Sequence, residues 1–381
     1  MFLKFAAAPI TLFGLGCRRQ LPDLLRREGV KKALIVTDAS LEKLGIRAMV
    51  TDVLEGFPFA VFSGVCPNPT LENVQDGLAL YQQEGCDFII AVGGGSANDC
   101  AKAIRVMAAN GGKLKDYQGP NKSKVRGAFL VAVNTTAGTA SEVSRAYLIS
   151  DEAARRKLIF KDDFAMPDIA VDDTELMLGL PAATTAQTGM DALTHAIESY
   201  CATSRTPLTD LLAEDAMRQI WEWLPAAVEN GRDEQARDGM ALGQYLAGLS
   251  FGNAGLGLVH AMAHQLSAVY HMGHGLSNAV LLPTVLEYYR KTVPGVIGRI
   301  AQVLAPEQCM GKTPEECDVL TVTLILQLSQ RIGTDMPLSR LGVTRDSFAE
   351  MADKALQDGC LATAPSIPDH ETICSLYEQA L

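Results

Sequence analysis

Short runs of apolar residues recur through the first half of the chain and alternate with longer amphipathic stretches. The clearest runs cover residues 33–36, 59–62, 88–92, 129–133 and 169–171. Continuous runs of this length are typical of strands buried on both faces, and strands that alternate with helices form a parallel, doubly wound sheet. The pattern therefore predicts an α/β fold for this half, with a further first strand within residues 1–17.

The pattern changes after Asp172 and Asp173, where long stretches of helical periodicity begin and β-branched runs almost disappear. This half should be nearly all helix, with the domain boundary near residues 173–183. A chain of 381 residues has room for two domains, and we divide it into residues 1–178 and 179–381. We expect the helices to break at prolines, which are Pro181, Pro207, Pro225, Pro283 and Pro337.

Composition and charge exclude several classes of protein. Hydrophobic residues make up 48% of the chain and charged residues 20%, which is too apolar for a disordered protein. The 33 basic residues are outnumbered by 44 acidic ones, and a net charge of -11 is the wrong sign for binding a phosphate backbone. We therefore expect no nucleic-acid partner.

Cysteine usage and hydropathy indicate where the protein works. The nine cysteines are an odd number without a Cys-x-x-Cys pair, which fits neither a disulfide framework nor a zinc ribbon. We therefore expect a cytoplasmic protein. The weakly polar stretch 242–263 contains Gln244, Asn253, His260 and several glycines, so we interpret it as a buried helical region and expect no membrane partner.

Two loops have the composition of phosphate-binding loops. Residues 93–96 read Gly-Gly-Gly-Ser between a predicted strand and a predicted helix, where glycines allow close backbone approach and the helix N-terminus attracts anions. A plain tight turn is the alternative for this short motif by itself. Residues 134–142 also follow a buried strand, and their hydroxyls and glycine suit a phosphate or ribose. The two loops together favour a dinucleotide site.

Asp38 follows the predicted strand at residues 33–36. A carboxylate at that place can accept hydrogen bonds from an adenosine ribose and would repel an added 2′-phosphate, which favours NAD over NADP. The alternative is that Asp38 simply caps the helix that begins after it.

All six histidines lie in the helical half, five of them before residue 275 and His370 near the end, and four lie between residues 260 and 274. Asp191 and His195 are four residues apart, as are His260 and His264, so each pair projects from one helix face. His274 follows a predicted turn that could bring it to the same point. Imidazoles combined with a carboxylate suit a first-row divalent metal such as Fe²⁺ or Zn²⁺ better than calcium or magnesium, although histidines that merely pack in the core are the alternative.

In these motifs the chain resembles the iron-containing alcohol dehydrogenases, near the lactaldehyde reductase, 1,3-propanediol dehydrogenase and NAD-dependent methanol dehydrogenase branches. The resemblance spans essentially the whole length, and its supporting stretches are residues 67–70, 93–99, 135–142, 189–198 and 260–264. It implies a Rossmann-like N-terminal domain, an all-α C-terminal domain of dehydroquinate synthase-like architecture, a homo-oligomer, and NAD with one divalent metal, of which Fe²⁺ is the first expectation and Zn²⁺ the second.

The resemblance also implies roles for particular residues. The metal ligands correspond to Asp191, His195, His260 and His274, and His264 corresponds to a catalytic histidine beside the nicotinamide. The dinucleotide contacts correspond to Asp38, Asn68, Gly94, Gly95, Ser96, Thr135, Thr136, Lys157 and Leu176. The chain departs from the family's threonine loop at Ala137 and Ala140, and it has His271 where relatives often have asparagine or another small polar residue.

The resemblance implies hydride transfer between a short-chain primary alcohol or diol and its aldehyde. A divalent cation would lower the pKa of the alcohol's hydroxyl group, and His264 could carry the released proton. Alternative functions are a glycerol dehydrogenase-like polyol oxidoreductase and a dehydroquinate synthase-like lyase, although the helical half has no basic cluster for a phosphorylated acid. A metallohydrolase could use the same ligands, but it would not need the two glycine-containing loops.

Overall fold

The computed structural model describes residues 4–381. The chain divides into two compact units, Met1–Leu178 and Gly179–Leu381. The first unit is built around a parallel sheet with helices, and the second is helical. The α/β fold class expected for the first half and the all-α class expected for the second are therefore confirmed.

The main sheet of the first unit has six strands, and every neighbouring pair is parallel. Its order is β1-β9-β6-β4-β2-β3. The strands are β1 (Ile10–Phe13), β2 (Ala33–Val36), β3 (Phe59–Phe62), β4 (Phe88–Gly93), β6 (Phe129–Asn134) and β9 (Ile169–Asp172). All five apolar runs are strands, and the strand expected within residues 1–17 is β1.

Both faces of this sheet are covered, which explains why its strands have no polar alternation. Along β2, Ala33 and Ile35 belong to one hydrophobic cluster, whereas Leu34 and Val36 belong to the other. All four side chains are fully buried. Because successive side chains point to opposite faces, burial on both sides requires an apolar residue at every position.

A second, smaller sheet of the first unit was not anticipated. Its order is β5-β8-β7, and β7 pairs with β8 in antiparallel register. These strands are β5 (Gly119–Pro120), β7 (Ala146–Asp151) and β8 (Arg156–Lys161). Buried residues alternate with partly exposed ones along β7, so that the sequence lacks the continuous apolar run that identifies the central strands.

The helices of the first unit connect its strands. They are α1 (Leu21–Glu28), α2 (Ala39–Lys43), α3 (Ile46–Thr51), α4 (Leu71–Gln83) and α5 (Gly95–Asn110). Short 3₁₀ helices cover Cys17–Gln20, Leu114–Tyr117, Ser141–Val143, Asp163–Ala165 and Thr174–Met177.

The second unit contains helices α6 to α14. They are α6 (Ala182–Cys201), α7 (Pro207–Glu229), α8 (Glu234–Ala254), α9 (Leu258–Tyr270), α10 (His274–Thr292), α11 (Gly298–Leu304), α12 (Pro314–Ile332), α13 (Phe348–Ala355) and α14 (His370–Gln379). Its 3₁₀ helices are Pro306–Cys309, Leu338–Leu341, Arg345–Ser347 and Gly359–Thr363. Beyond residue 172, the described part of the chain contains no strand.

Two of the five prolines lie inside a helix instead of at a helix boundary, contrary to expectation. Pro225 lies inside α7 and Pro283 lies inside α10. Each removes a single intrahelical hydrogen bond, and packing of these long helices against their neighbours outweighs that loss. By contrast, Pro207 is the first residue of α7, where the missing N–H has no cost.

Glycines allow helices α6, α7 and α8 to approach one another closely. A Cβ added at Gly189 on α6 would lie 2.2 Å from Cδ1 of Leu224, and one added at Gly243 on α8 would lie 2.7 Å from Cγ1 of Ile220. No single helix among residues 4–381 is long and apolar enough to cross a membrane, and only the α8–α9 pair, bent by 103°, passes that test by length and composition.

Candidate metal centre and dinucleotide loops

Four candidate metal ligands come from three helices of the second unit. Asp191 and His195 lie one turn apart on α6, His260 lies in the first turn of α9, and His274 is the first residue of α10. The chain between α9 and α10 is short and non-helical, so α10 begins beside the end of the helix that carries His260. The four-residue spacing on α6 and the packing of α10 against both α6 and α9 bring the four side chains together.

The donor atoms of these four residues converge on one small volume. One ligand atom from each residue lies within 4.8 Å of the corresponding atom of every other. Oδ1 of Asp191 is 3.9 Å from Nε2 of His260 and 3.7 Å from Nε2 of His274. The rings of His195 and His260 stack with centroids 4.6 Å apart. The His274 side chain is 23% exposed, while the other three are nearly buried, so the centre is reached from the His274 side.

Glu198 orients His260. Its Oε2 lies 2.6 Å from Nδ1 of His260, and both side chains are 1% exposed. The same carboxylate accepts hydrogen bonds from the backbone N–H groups of Gly257 and Val259 at the start of α9. With Nδ1 bonded to Glu198, the Nε2 lone pair of His260 faces the other candidate ligands.

Asn278 connects three members of this set. It lies one turn after His274 on α10, and its Nδ2 donates to Oδ1 of Asp191 at 2.6 Å. The same nitrogen is 3.2 Å from Nε2 of His260 and 3.3 Å from Nε2 of His274. The side-chain amide of Asn278 is thus within hydrogen-bond distance of one donor atom from each of three candidate ligands.

This donor set fits a first-row divalent metal. Three imidazoles and one carboxylate are typical ligands of Fe²⁺ and Zn²⁺, whereas calcium and magnesium take oxygen ligands. The four side chains are also largely buried, and a further carboxylate supports one of the imidazoles, as is typical of such sites. A buried carboxylate surrounded by imidazoles needs a positive charge nearby to offset its desolvation, and a bound cation supplies it.

His264, the candidate catalytic histidine, lies one turn after His260 on α9. Its ring stacks on that of His274 with centroids 5.3 Å apart, so it lies against the candidate metal ligands without belonging to that group. Its Nδ1 is 2.8 Å from Oδ2 of Asp358, and the two side chains are 4% and 5% exposed. Asp358 therefore fixes the ring orientation of His264.

The pKa of Asp358 is lowered from its ordinary value. Burial by itself would raise it, but the charge and hydrogen bond of His264 outweigh burial, and donors from Cys360 act in the same direction. Asp358 also accepts the N–H of Cys360 at the start of the 3₁₀ helix Gly359–Thr363. The carboxylate therefore stays ionised beside His264.

Two further residues near this centre have clear structural positions. His271 is exposed and ends α9 with a left-handed backbone (φ 54°), a conformation that asparagine tolerates better than most residues. It belongs to neither group of candidate metal ligands. The ring of Phe251 stacks on that of His195 with centroids 4.3 Å apart and forms an apolar wall behind that ligand.

In the first unit, the glycine loop joins β4 to α5. Gly94 precedes the first residue of α5, and no side chain caps the helix there. Nδ2 of Asn98 donates to the carbonyl oxygens of Gly93 and Gly94 and holds the loop in place. The N-terminus of a 16-residue helix therefore follows the glycines directly, as the anion-binding interpretation requires.

The threonine loop packs directly against the glycine loop. β4 and β6 are neighbours, with Gly93 opposite Asn134, so the loops that follow them meet at the same sheet edge. A Cβ added at Gly94 would lie 2.9 Å from Oγ1 of Thr136. Thr136 is partly exposed, whereas Thr135 is only 2% exposed. Of these two candidate contacts, Thr136 is the one whose hydroxyl borders the glycines.

Ala140 shows the cost of a departure from the family pattern. Its φ of 48° is in the left-handed region, where the family usually has glycine and where a residue with a Cβ is strained. The following 3₁₀ helix, Ser141–Val143, is buried and holds the loop in this conformation. The backbone conformation of the loop is therefore fixed at Ala140.

Asp38 is the N-cap of α2. Its Oδ1 accepts hydrogen bonds from the backbone N–H groups of Ser40 and Leu41, so the capping interpretation describes what this residue does in the fold. Both bonds end on one carboxylate oxygen. The cap fixes the side chain at the carboxyl end of β2, near the strand that leads to the glycine loop.

The remaining candidate dinucleotide contacts, Asn68, Lys157 and Leu176, lie in different parts of the first unit. Lys157 lies on β8 opposite Ser150, and the N–H of Ser150 donates to the carbonyl oxygen of Pro69, next to Asn68. The unanticipated small sheet thus brings the Asn68 segment close to Lys157. Leu176 is 2% exposed and packs in the hydrophobic core, so its side chain is not accessible to a ligand.

A buried charged cluster supports these loops from inside. Lys102 is fully buried on α5, and its Nζ donates to Oγ of Ser141 and to the carbonyl oxygen of Ala146. Ser141 in turn donates to Oδ1 of Asp99. Burial lowers the pKa of Lys102 from its ordinary value of 10.5 to about 8, although Asp99 and Glu142 act in the opposite direction.

Sequence reasoning assigned no role to three residues of the centre. Glu198 follows His195 by three positions on α6, and Asn278 follows His274 by four on α10, so helical spacing contained a signal for both. Asp358 is 94 residues from its partner His264, and no local pattern connects them.

Comparison with known proteins agrees with this architecture. Residues 8–174 match the family described as iron-containing alcohol dehydrogenase, and residues 185–381 match the C-terminal part of the Fe-containing alcohol dehydrogenase family. Alcohol dehydrogenase 4 of Schizosaccharomyces pombe is 41% identical over 99% of this chain and 89% of its own. NAD-dependent methanol dehydrogenase of Bacillus methanolicus is 37% identical over 99% of this chain and 100% of its own. A crystal structure of 1,3-propanediol oxidoreductase, 39% identical, superposes with a TM-score of 0.97 over 100% of both chains. The chain belongs to the iron-containing alcohol dehydrogenase family.

Proposed function

We propose that this protein interconverts a short-chain primary alcohol or diol and its aldehyde, using NAD and one divalent metal ion held by Asp191, His195, His260 and His274. The observation that carries the proposal is the convergence of these four side chains within 4.8 Å in a helical unit. The same chain carries two adjoining phosphate-type loops on a parallel sheet, which a metallohydrolase would not need.

Metal binding in this proposal depends on neighbouring side chains that orient the four ligands. Glu198 fixes the tautomer of His260, and Asn278 holds Asp191 in place. When bound, the metal supplies a Lewis acid that lowers the pKa of the substrate hydroxyl, and NAD accepts the hydride. The nearly buried surroundings exclude water, which strengthens every electrostatic interaction in the centre.

We assign the transfer of the hydroxyl proton to His264, whose ring stacks on that of the candidate ligand His274. Asp358 binds Nδ1, so Nε2 carries the lone pair that can accept a proton. The imidazolium formed in that step would be stabilised by the adjacent carboxylate. In aldehyde reduction the same nitrogen returns the proton.

The dinucleotide-binding part is assigned to the first unit. Gly94, Gly95 and Ser96 offer backbone N–H groups at the start of α5, and Thr136 offers a hydroxyl beside them. The negative charge of Asp38 supports NAD rather than NADP, because a 2′-phosphate there would meet a fixed carboxylate.

We also propose that the enzyme works in the cytoplasm. All nine cysteines are free, as expected in a reducing compartment. The homo-oligomer implied by the family resemblance stays a prediction, which light scattering of the purified protein tests.

The decisive experiment follows NADH absorbance with a panel of short alcohols and diols. It is run on the purified protein, after complete chelation, and after re-addition of Fe²⁺ or Zn²⁺. We expect NADH formation that disappears on chelation and returns with metal. Full activity after complete stripping, or no NADH with any alcohol in the metal-loaded protein, would contradict the proposal.

A further inference from the structure

A second group of ligand-type side chains lies beside the first. One donor atom from each of His264, Asp358 and Cys360 lies within 4.8 Å of the other two. None of these residues belongs to the four-residue metal centre. Their donor set of imidazole, carboxylate and thiol differs from that of the first centre by the presence of sulfur, which makes it softer.

The three side chains are already organised around Asp358. Its carboxylate binds Nδ1 of His264 at 2.8 Å and the backbone N–H of Cys360 at 2.9 Å, and the Cys360 side chain also hydrogen-bonds to it. The Asp358 and His264 side chains are about 95% buried, while Cys360 is partly exposed. The cluster is thus preformed, and it is open to solvent on the thiol side.

We propose that His264, Asp358 and Cys360 form a second cation site, which captures a soft divalent ion such as Zn²⁺ and thereby inhibits the enzyme. Tetrahedral zinc with ordinary Zn–N, Zn–O and Zn–S bonds places its ligand atoms about 3.3–3.6 Å apart. The hydrogen bond of 2.8 Å between His264 and Asp358 has to open slightly, and no pair in the cluster has to close from beyond 4.8 Å.

Charge and proton balance favour a divalent ion. On binding, the Cys360 thiol releases its proton to solvent, and the Nδ1 proton of His264 moves to Nε2. One thiolate and one carboxylate then neutralise the two positive charges of the ion. Repulsion from the cation in the first centre, whose His274 ring stacks on His264, makes this second site the weaker one.

The inhibition rests on the role of His264 in the proposed function. With the ion on Nδ1, the Nε2 atom carries a proton and has no lone pair, so it can no longer accept the proton of the substrate. Capture of the ion would therefore stop proton movement without removing any ligand of the first centre.

Cobalt(II) tests the site without relying on activity. The first centre contains no cysteine, so thiolate-to-cobalt charge-transfer absorption in the near ultraviolet reports only a site with sulfur. We expect the full-length protein to bind a first Co²⁺ without this band and a second Co²⁺ with it. Cys360→Ser should retain the first Co²⁺ and lose the band, whereas Cys66→Ser, which removes an exposed thiol of the first unit, should retain both.

Zinc inhibition supplies the second measurement. The Zn²⁺ concentration that halves the activity of the metal-loaded enzyme should be at least about tenfold higher for Cys360→Ser than for wild type, each relative to its own zinc-free rate. The second site is refuted if wild type shows no charge-transfer band at excess Co²⁺, or if Cys360→Ser keeps it. A protein that oxidises no alcohol before zinc is added refutes the proposed function instead, and the cobalt spectra still decide the second site.

Discussion

Nδ1 of His260 lies 2.6 Å from Oε2 of Glu198, and the same carboxylate accepts N–H groups at the start of the helix that carries this histidine. Glu198 itself lies on α6, two turns beyond Asp191. One side chain thus joins the two helices that supply three of the four candidate ligands. The orientation of His260 and the packing of α9 on α6 depend on the same carboxylate.

Glu198→Gln should weaken metal binding without unfolding the unit. The neutral amide is a poorer acceptor for Nδ1 and for the helix N–H groups, so we expect the metal affinity to fall about 10- to 100-fold. Competition with a chelator measures this loss. Glu229→Gln is the matched control, because Glu229 is an exposed carboxylate that pairs with Arg331. The metal affinity of this variant should equal that of wild type.

His260→Ala and His264→Ala should separate metal binding from turnover. Removing His260 takes away a ligand, so metal content and activity should be lost together. Removing His264 leaves the four ligands intact and should lower kcat by about 10²- to 10⁴-fold at normal metal content. Elemental analysis and steady-state rates distinguish the two, and wild-type rates in both variants would show that the assignment is wrong.

Gly275→Ala should disturb the metal centre, although alanine normally stabilises a helix. A Cβ at this position would lie 2.5 Å from the carbonyl oxygen of Gln187 and 3.4 Å from Cβ of Asp191, so α10 would have to move away from α6. We expect a loss of about 1–3 kcal/mol in the free energy of unfolding, together with weaker metal binding. Gly273→Ala is the control, because its nearest neighbour is 3.8 Å away and its φ is negative; equal behaviour of the two variants would contradict this prediction.

Asp38→Ser should relax the preference for NAD. Serine keeps the N-cap of α2 but removes the negative charge, so the ratio of kcat/KM for NADP⁺ to that for NAD⁺ should rise at least about tenfold. Asp38→Glu makes the complementary change, since it keeps the charge with a poorer cap, and it should lower thermal stability while leaving the preference for NAD. An unchanged ratio in Asp38→Ser would show that this carboxylate acts only as a cap.

The buried Lys102 predicts a stability that depends on pH. Its pKa is about 8 in the folded protein and 10.5 ordinarily, so between these values the unfolded chain binds more protons than the folded one. The free energy of unfolding should therefore rise with pH across this window, by about 3 kcal/mol at most. Urea unfolding at several pH values measures the free energy of unfolding of wild type and of Lys102→Met. The value for wild type minus the value for the variant should increase from pH 8 to pH 10.5, and a constant difference would contradict the pKa shift.

The central sheet could be predicted because each of its strands is recognisable from its own short stretch of sequence. Strands such as β2 and β4 are buried on both faces, so each appears in the sequence as an unbroken apolar run. β7 and β8 have one partly exposed face and polar residues along it, and their pairing depends on the rest of the unit. Pro225 and Pro283 were misjudged for a related reason, since tertiary packing outweighs the local preference of proline.

The same division applies to the metal centre. The pairs Asp191 with His195 and His260 with His264 are visible at a spacing of four, because one helical turn places them on one face. That α6, α9 and α10 meet at one point is a property of the fold. Asp358, which holds His264 from far along the chain, has no counterpart in any local pattern.

The hydrogen bonds of Glu198 and Asn278 have a consequence for the biology of the protein. They arrange the ligands through protein contacts alone, before any ion arrives. A prearranged set of nitrogen and oxygen donors follows the general affinity order of first-row dications, in which Zn²⁺ binds more tightly than Fe²⁺, so the donor set by itself does not select iron. Which ion occupies it in the cell is then decided by the relative abundance of available iron and zinc, so that starvation for one metal would change the composition of the enzyme population without any change in its sequence.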